Sequence, residues 1–445
     1  MNVFIKTYGC QMNERDSEAI AGMLTKEGCQ IVDHESKADV LIFNTCSVRE
    51  QAERKAIGKV GFMKKLKKDN PNLVIGIMGC MAQNHGEELL KTLSHVDFVI
   101  GTGQLHKLPE VLTSILEERS QLALLDEGCE VLTSMGSHYK MPDSKPCQAF
   151  IAVTRGCNRF CSYCIVPHVR GREISREIND VVEEAKELVS SGVKEIMLLG
   201  QNVAAYGLNG DTKPPPKGTS PFADLLKELN EIDGLVRIRF TSPYPSYFND
   251  KLIDAMATLS KVCHNVHLPL QSGSDRILKK MNRQYTAEKY LEIANKMKQR
   301  IPDITFSTDV IVGFPGETEE DFIKTRDIMN NVGFDNAFIF KYSPREGTPA
   351  AIMEDQVQQE DKERRNQLLL QDLEERTAEH NENLVGTVQE VLVEGPSRRN
   401  AERWSGKTST AKVVMFPPDE ETERGKLVKV KINRCTPVSL FGDLI

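Results

Sequence analysis

The sequence predicts an α/β protein in three parts. These are an N-terminal doubly wound parallel-sheet domain, a central (β/α)6 partial TIM barrel and a small, OB-like C-terminal β-barrel. Three observations predict it. Strand-like apolar runs alternate with helical patterns from residue 1 to about 118, which implies a parallel sheet. Six further strand–helix units follow before residue 376, enough for a barrel open on one side. After residue 377 the pattern changes to short strands divided by turn residues, the size of a small oligonucleotide-binding barrel. The expected divisions are 1–118, a linker at 119–142, then 143–376 and 377–445.

In the first part, Val3–Tyr8, Val40–Asn44 and Leu73–Met78 read as strands. Helical patterns at Ser17–Glu27, Arg49–Lys68 and Gly86–Leu93 separate them, and a fourth strand falls at Phe98–Ile100. Each of the first three strands ends in a cysteine: Cys10, Cys46 and Cys80. Ligands of open parallel sheets bind outside the carboxyl ends of the strands. Three thiols distant in sequence are therefore expected at one edge, where Gly9 and Gly79 let backbone approach closely. Buried apolar cysteines are common, but three at equivalent positions point to a site. Cys29, Cys129, Cys147, Cys263 and Cys435 share no such pattern. The lysine-rich helix Arg49–Lys68 is either a solvated face or a phosphate-contacting one.

The linker carries Gly128, Gly136 and Pro142. A strand at Ala149–Thr154 then delivers the loop Arg155-Gly156-Cys157-Asn158-Arg159-Phe160-Cys161-Ser162-Tyr163-Cys164. The Cys-x3-Cys-x2-Cys spacing lets one loop give three thiolates to a cuboidal iron–sulfur cluster. One iron stays open for a small chelating ligand, as in an open catalytic metal site. A structural zinc loop is the alternative, but it normally needs a second pair of ligands. Only His168, after Pro167, follows nearby. The later strands, Glu195–Leu199, Val236–Phe240, Val266–Leu270, Thr305–Val312 and Ala337–Tyr342, end in polar or glycine-rich segments. These include Gly200-Gln201-Asn202, Gln271-Ser272-Gly273-Ser274 and Gly313–Glu317. In a barrel, that is where substrate and cofactor contacts lie.

In the last part, Arg398, Arg399, Arg403, Lys407 and Lys412 surround Trp404. Basic residues interleaved with an aromatic suit RNA backbone contact plus base stacking; an ordinary charged loop is the alternative.

Composition sets limits. The chain has 445 residues, 40% hydrophobic and 27% charged, with a net charge of −7, so nucleic-acid binding would rest on local basic patches. No apolar run is long enough to span a bilayer, and the N-terminus lacks a signal peptide's apolar core. A cytoplasmic protein without a membrane partner is expected. In that compartment eleven cysteines point to metal binding or catalysis, not disulfides.

The chain resembles the radical-SAM methylthiotransferases along nearly its whole length. The resemblance rests on Thr7–Asn13, Asn44–Arg49, Gly79–Gln83, Arg155–Pro167 with Arg170-Gly171-Arg172, His267–Ser274, Asp309–Glu317 and Val393–Ser397, the last resembling a TRAM domain. It implies two [4Fe–4S] clusters. One would sit on Cys157, Cys161 and Cys164, where S-adenosyl-L-methionine is cleaved to a 5′-deoxyadenosyl radical. The auxiliary one would sit on Cys10, Cys46 and Cys80. It also places Tyr163, Gln201, Ser272 and Asp309 near S-adenosylmethionine, and the TRAM barrel, which carries Arg398, Arg399, Arg403 and Lys407, against the tRNA. The implied reaction is methylthiolation of C2 of N6-isopentenyladenosine at position 37 of tRNA. It would use one S-adenosylmethionine as methyl donor and a second as radical source. The implied partners are the tRNA anticodon stem-loop, an electron donor such as flavodoxin or ferredoxin, and an iron–sulfur carrier; a monomer is expected. The competing readings are a methylthiotransferase for threonylcarbamoyladenosine tRNA or a ribosomal protein aspartate, and a non-catalytic, metal-stabilised RNA-binding protein.

Overall fold

The computed structural model describes residues 1–47, 50–118, 120–125, 138–139, 146–208, 210, 213–397, 400 and 402–445. The N-terminal domain comprises β1 (Asn2–Tyr8), α1 (Gln11–Lys26), β2 (Gln30–Ile31), β3 (Val40–Thr45), α2 (Glu50–Asp69), β4 (Val74–Gly79), α3 (Cys80–Thr92), β5 (Phe98–Ile100), α4 (Leu108–Glu118) and β6 (Leu122–Leu124). Its six strands are all parallel, in the order β2-β1-β3-β4-β5-β6. Helices α1 and α4 cover one face and α2 and α3 the other. Strands β3, β4 and β5 are buried on both sides, which explains their apolar runs. The chain reverses direction across the sheet between β1 and β3, the topological switch point where such sheets bind ligands. Cys10 and Cys46 follow those two strands.

Helix α1 starts at Gln11, six residues before the periodicity suggested, because Cys10 caps it. The Asn13 side chain completes a capping box with Cys10. Its first turns are buried although polar, which hides them from a pattern search. Strands β2 and β6, of two and three residues, are too short to leave a periodic signal.

The central domain comprises β7 (Gln148–Ala152), β8 (Thr154–Arg155), α5 (Val166–Arg170), β9 (Ile174–Ser175), α6 (Ile178–Ser190), β10 (Glu195–Leu199), α7 (Pro221–Asn230), β11 (Arg237–Phe240), α8 (Asp250–Thr258), β12 (Asn265–His267), α9 (Asp275–Lys280), α10 (Ala287–Arg300), β13 (Thr305–Val312), α11 (Glu319–Val332), β14 (Asn336–Lys341) and α12 (Gln359–Glu382). Two parallel three-stranded sheets, β7-β10-β11 and β12-β13-β14, form the partial barrel. A single parallel bridge, Ile238 to Val262, marks their seam. The open side lies between the edge strands β7 and β14. Alternate residues divide the faces. Ile151, Ile196, Leu198, Val310 and Val312 pack outward on the helices, so Phe150, Met197, Asp309 and Phe338 face the interior. A short antiparallel pair, β8 with β9, frames the cysteine loop.

The C-terminal strands β15 (Val388–Pro396), β16 (Trp404–Lys407), β17 (Val413–Phe416), β18 (Leu427–Thr436) and β19 (Ser439–Leu444) close into a barrel in the order β15-β16-β17-β19-β18. It docks on the N-terminal ends of the central strands, opposite the cysteine loop. Arg239 donates to the carbonyls of Ser409 at 3.0 Å and Thr408 at 2.6 Å, and it pairs with Glu195 at 3.0 Å. Arg237 donates to the Lys407 carbonyl at 2.5 Å, and Thr305 to that of Thr410 at 2.8 Å. Among the described residues no helix is long and apolar enough to cross a membrane.

Removing one partner of a buried ion pair costs about 3–5 kcal/mol. Arg239→Ala strands Glu195, whose side chain is 3% exposed. The unfolding free energy from denaturant titration is therefore expected to fall by an amount in that range; an unchanged value would rule out this joint.

Candidate active site between two cysteine triads

The loop Cys157–Cys164 leaves β8 at the C-terminal mouth of the barrel. Backbone bonds fix it: Cys157 N donates to Gly171 O at 3.1 Å, and Ser162 N to Met281 O at 3.1 Å. Gly156 has φ +76, and a Cβ there would fall 2.0 Å from the Arg172 carbonyl oxygen, so only glycine fits the turn. The thiols of Cys157, Cys161 and Cys164 interact electrostatically. Burial pushes Cys157 up to about 12 and Cys164 well up. Two thiols so disfavoured as bare thiolates suit a cationic group that supplies the compensating charge. Arg283, stacked 4.3 Å over Tyr244, brings Nη1 to 3.6 Å from Cys161 Sγ. No sequence pattern marked it, because it enters from the segment after α9.

The second triad gathers at the switch point. A hydrogen bond with Cys46 is the largest influence on Cys10 and holds its thiol down at about 5. Cys46 and Cys80 are each 1% exposed. Burial raises Cys80, with Arg170 opposing it; Arg170 Nε donates to Cys80 Sγ at 3.2 Å. Gly79, at φ +98, makes the approach possible, since a Cβ would meet Asn44 Oδ1 at 2.4 Å and Thr45 O at 2.6 Å. Among the described residues, no three His, Cys, Asp or Glu side chains are grouped as around a single metal ion. A cuboidal cluster instead binds each thiolate to its own iron. Both donor sets fit such clusters.

Arg170 belongs to α5, just beyond the first triad, so it joins the two sites. Its Nη2 donates to Asp16 Oδ2 at 3.0 Å, and Arg155 Nη2 pairs with Asp16 Oδ1. The Asp16 side chain is 0% exposed, and those of Arg155 and Arg170 are 5% and 4%. Thr102 Oγ1 donates to Val169 O at 2.5 Å. Cys10 and Met12 pack on Phe150, Ala152, Met197 and Leu199, and Cys80 packs on Ile165 and Val169. The N-terminal domain thus caps the barrel mouth with its own cysteine edge facing in.

The remaining expected residues are placed unequally. Gln201 has a buried Oε1 without a partner among the described residues, and so has Gln271, which holds φ +66. Ser272 turns away: its hydroxyl lies 3.3 Å from Thr325 Oγ1 and accepts from Ser274 N. Gln271, within the same quoted segment, carries the buried oxygen without a partner among the described residues. Asp309 faces the interior, 3.2 Å from His267 Nε2. Tyr163 is wedged against Phe314, edge to face at 6.4 Å. Lys407 sits in β16 at the barrel joint and pairs with Glu394 at 2.9 Å. Arg403 lies over Phe441 at 5.8 Å, and Trp404 packs on the small barrel's core. Arg398, Arg399 and Cys129 lie outside the described residues.

Fold and site together define a radical S-adenosylmethionine enzyme capped by a second cysteine domain. Residues 151–329 match the radical SAM superfamily, 2–101 the uncharacterized protein family UPF0004, and 382–445 the TRAM domain. Curated relatives named tRNA-2-methylthio-N(6)-dimethylallyladenosine synthase are similar end to end. The Akkermansia muciniphila protein is 47% identical, covering 99% of this chain and 98% of the relative. The Clostridium perfringens protein is 46% identical, covering 99% and 97%. The chain belongs to the tRNA-2-methylthio-N(6)-dimethylallyladenosine synthase (MiaB) family of radical-SAM methylthiotransferases. Among solved structures, the radical S-adenosylmethionine methyltransferase TsrM from Kitasatospora setae, with cobalamin and a [4Fe–4S] cluster bound, shares the fold. The TM-score is 0.59 at 14% identity, covering 87% of this chain and 80% of that one. The cobalamin-dependent enzyme OxsB aligns with a TM-score of 0.51 at 12% identity, covering 83% and 55%.

Asp16→Ala leaves two buried guanidinium groups facing each other. It is expected to lower apoprotein stability by about 3–5 kcal/mol, read by urea denaturation. A change below about 0.5 kcal/mol, usual for a surface position, would contradict this role.

Proposed function

We propose that the protein methylthiolates C2 of N6-isopentenyladenosine at position 37 of tRNA, beside the anticodon. One observation carries the reading: two cysteine triads end on opposite sides of a single interface joined through Asp16. Held there, two [4Fe–4S] clusters and two molecules of S-adenosylmethionine would supply the reductive radical and sulfur-transfer chemistry, which acid–base side chains cannot perform on a purine C2–H bond.

The chain's own residues have definable tasks. Cys157, Cys161 and Cys164 would hold the radical-generating cluster, and Cys10, Cys46 and Cys80 would hold the auxiliary one. Arg283 donates to a sulfur of the first triad and Arg170 to one of the second. Gln201 and Gln271 offer unpaired carbonyl oxygens to the amino group of S-adenosylmethionine. Asp309, at the barrel interior, and Tyr163, beside the cysteines, complete the cofactor's surroundings. The cap formed by Met12, Ala152 and Leu199 excludes water from the reacting carbon.

The target base must leave its stack to enter. The TRAM barrel sits at the opposite end from the mouth, so the RNA runs along the open side of the barrel. Arg403 and the exposed lysines of α2, Lys64, Lys65 and Lys68, are available for its phosphates. Flavodoxin or ferredoxin supplies the electron, and an iron–sulfur carrier loads the clusters.

The test is an anaerobic assay of the reconstituted protein with isopentenylated and threonylcarbamoylated tRNA. Product on the isopentenylated substrate is expected; product only on the other would overturn the assignment. Replacing Cys10, Cys46 and Cys80 together by alanine should halve bound iron from about eight to about four per chain. It should also abolish methylthiolation while 5′-deoxyadenosine still forms. Retention of all the iron would refute the auxiliary site.

A further inference from the structure

The interior of the barrel is asymmetric. On the β7–β10 side it is filled by the capping contacts of Cys10 and Met12. On the β12–β14 side it is open, and two large aromatic side chains lie there. Phe338 and Phe340 are 45% and 38% exposed, unusual for phenylalanines on a barrel strand. They sit two residues apart on the edge strand β14, so they share a face. Their rings are stacked, with centroids 6.4 Å apart and planes 13° apart. That face is the interior one. Phe338 is in register with Asp309, and Phe340 with Ile311, while the intervening Ala337 and Ile339 pack outward on the core. His267 contacts the Phe338 ring edge-on at 6.1 Å.

We propose that Phe338 and Phe340 form the wall that receives the apolar N6-isopentenyl substituent, and that they set the enzyme's choice of substrate. The proposal rests on the functional reading above. Its physical grounds are position, shape and charge. The pair borders the open side of the barrel, where a base displaced from RNA enters. Its rings give a flat apolar surface suited to a planar base with a branched hydrocarbon group. Asp309, on the next strand in register with Phe338, repels an anionic substituent such as threonylcarbamoyl. Losing an apolar contact of this size weakens discrimination on the order of tenfold or more.

The test uses reconstituted holoenzyme and anticodon stem-loop RNAs carrying adenosine, N6-isopentenyladenosine or N6-threonylcarbamoyladenosine at the target position. Affinities are read by fluorescence anisotropy, with iron content and thermal midpoint as folding checks. The wild type is expected to prefer the isopentenylated loop over the unmodified one by about tenfold or more. Combining Phe338→Ala with Phe340→Ala should erase that preference. Phe340→Lys, a milder change at an exposed position, should shift it toward the threonylcarbamoylated loop. Either variant keeping the wild-type preference overturns the proposal. A wild type that methylthiolates isopentenylated tRNA yet binds all three loops equally overturns it as well and leaves the functional reading standing. A wild type that methylthiolates no isopentenylated tRNA overturns that reading itself.

Discussion

Asp16 is the residue on which the two-domain site depends. Its carboxylate is wholly buried between Arg155 and Arg170, which flank the Cys157–Cys164 loop on either side. A buried ion pair seldom adds much net stability, since desolvation offsets its attraction. Its value here is register. One carboxylate on α1 can satisfy two guanidinium groups in only one docking pose, and a slipped pose would leave charges buried and unpaired. Because Cys10 caps the N-terminus of α1, the same pose fixes where that auxiliary thiol stands. Arg170 extends the link to Cys80 itself.

The opposite end of the barrel is closed by a different device. Arg237 and Arg239 rise from β11 and take up backbone carbonyls of the TRAM segment from Lys407 to Ser409. Side chains add to this joint: Glu394 accepts from Gln148 Nε2 at 2.9 Å, and Lys412 pairs with Asp335 at 2.8 Å. Among the described residues no strand pairs β7 with β14, so the barrel stays open on that side, between the two joints.

Much of this was legible in the sequence. The two triads were visible because three strand ends each carried a cysteine and because a compact Cys-x3-Cys-x2-Cys loop followed a strand. Parallel α/β topology then did the rest. The residues that join the triads were not legible. Asp16 sits among polar residues of α1 that look solvent-facing but are buried, Asn13 and Ser17 against β1 and β3, and Asp16 against two arginines of the central domain. Arg283 lies more than a hundred residues from the cysteine it approaches. The sequence singled out Ser272, whose hydroxyl lies beside Thr325, and not Gln271, whose buried oxygen has no partner among the described residues, because side-chain pairing is set by the fold. The Trp404–Lys407 segment read as a basic loop. In the fold it is a strand, with Trp404 on the small barrel's core and Lys407 paired with Glu394.

The central claim is that both triads hold iron–sulfur clusters at one shared cavity. The most direct measurement is pulsed electron paramagnetic resonance on the anaerobically reconstituted and reduced protein. Two reduced clusters brought together by the Asp16 joint should show a mutual dipolar coupling. That coupling should disappear, leaving a single uncoupled signal, when Cys10, Cys46 and Cys80 are all replaced. Two signals that simply add, with no coupling between them, would contradict the shared cavity.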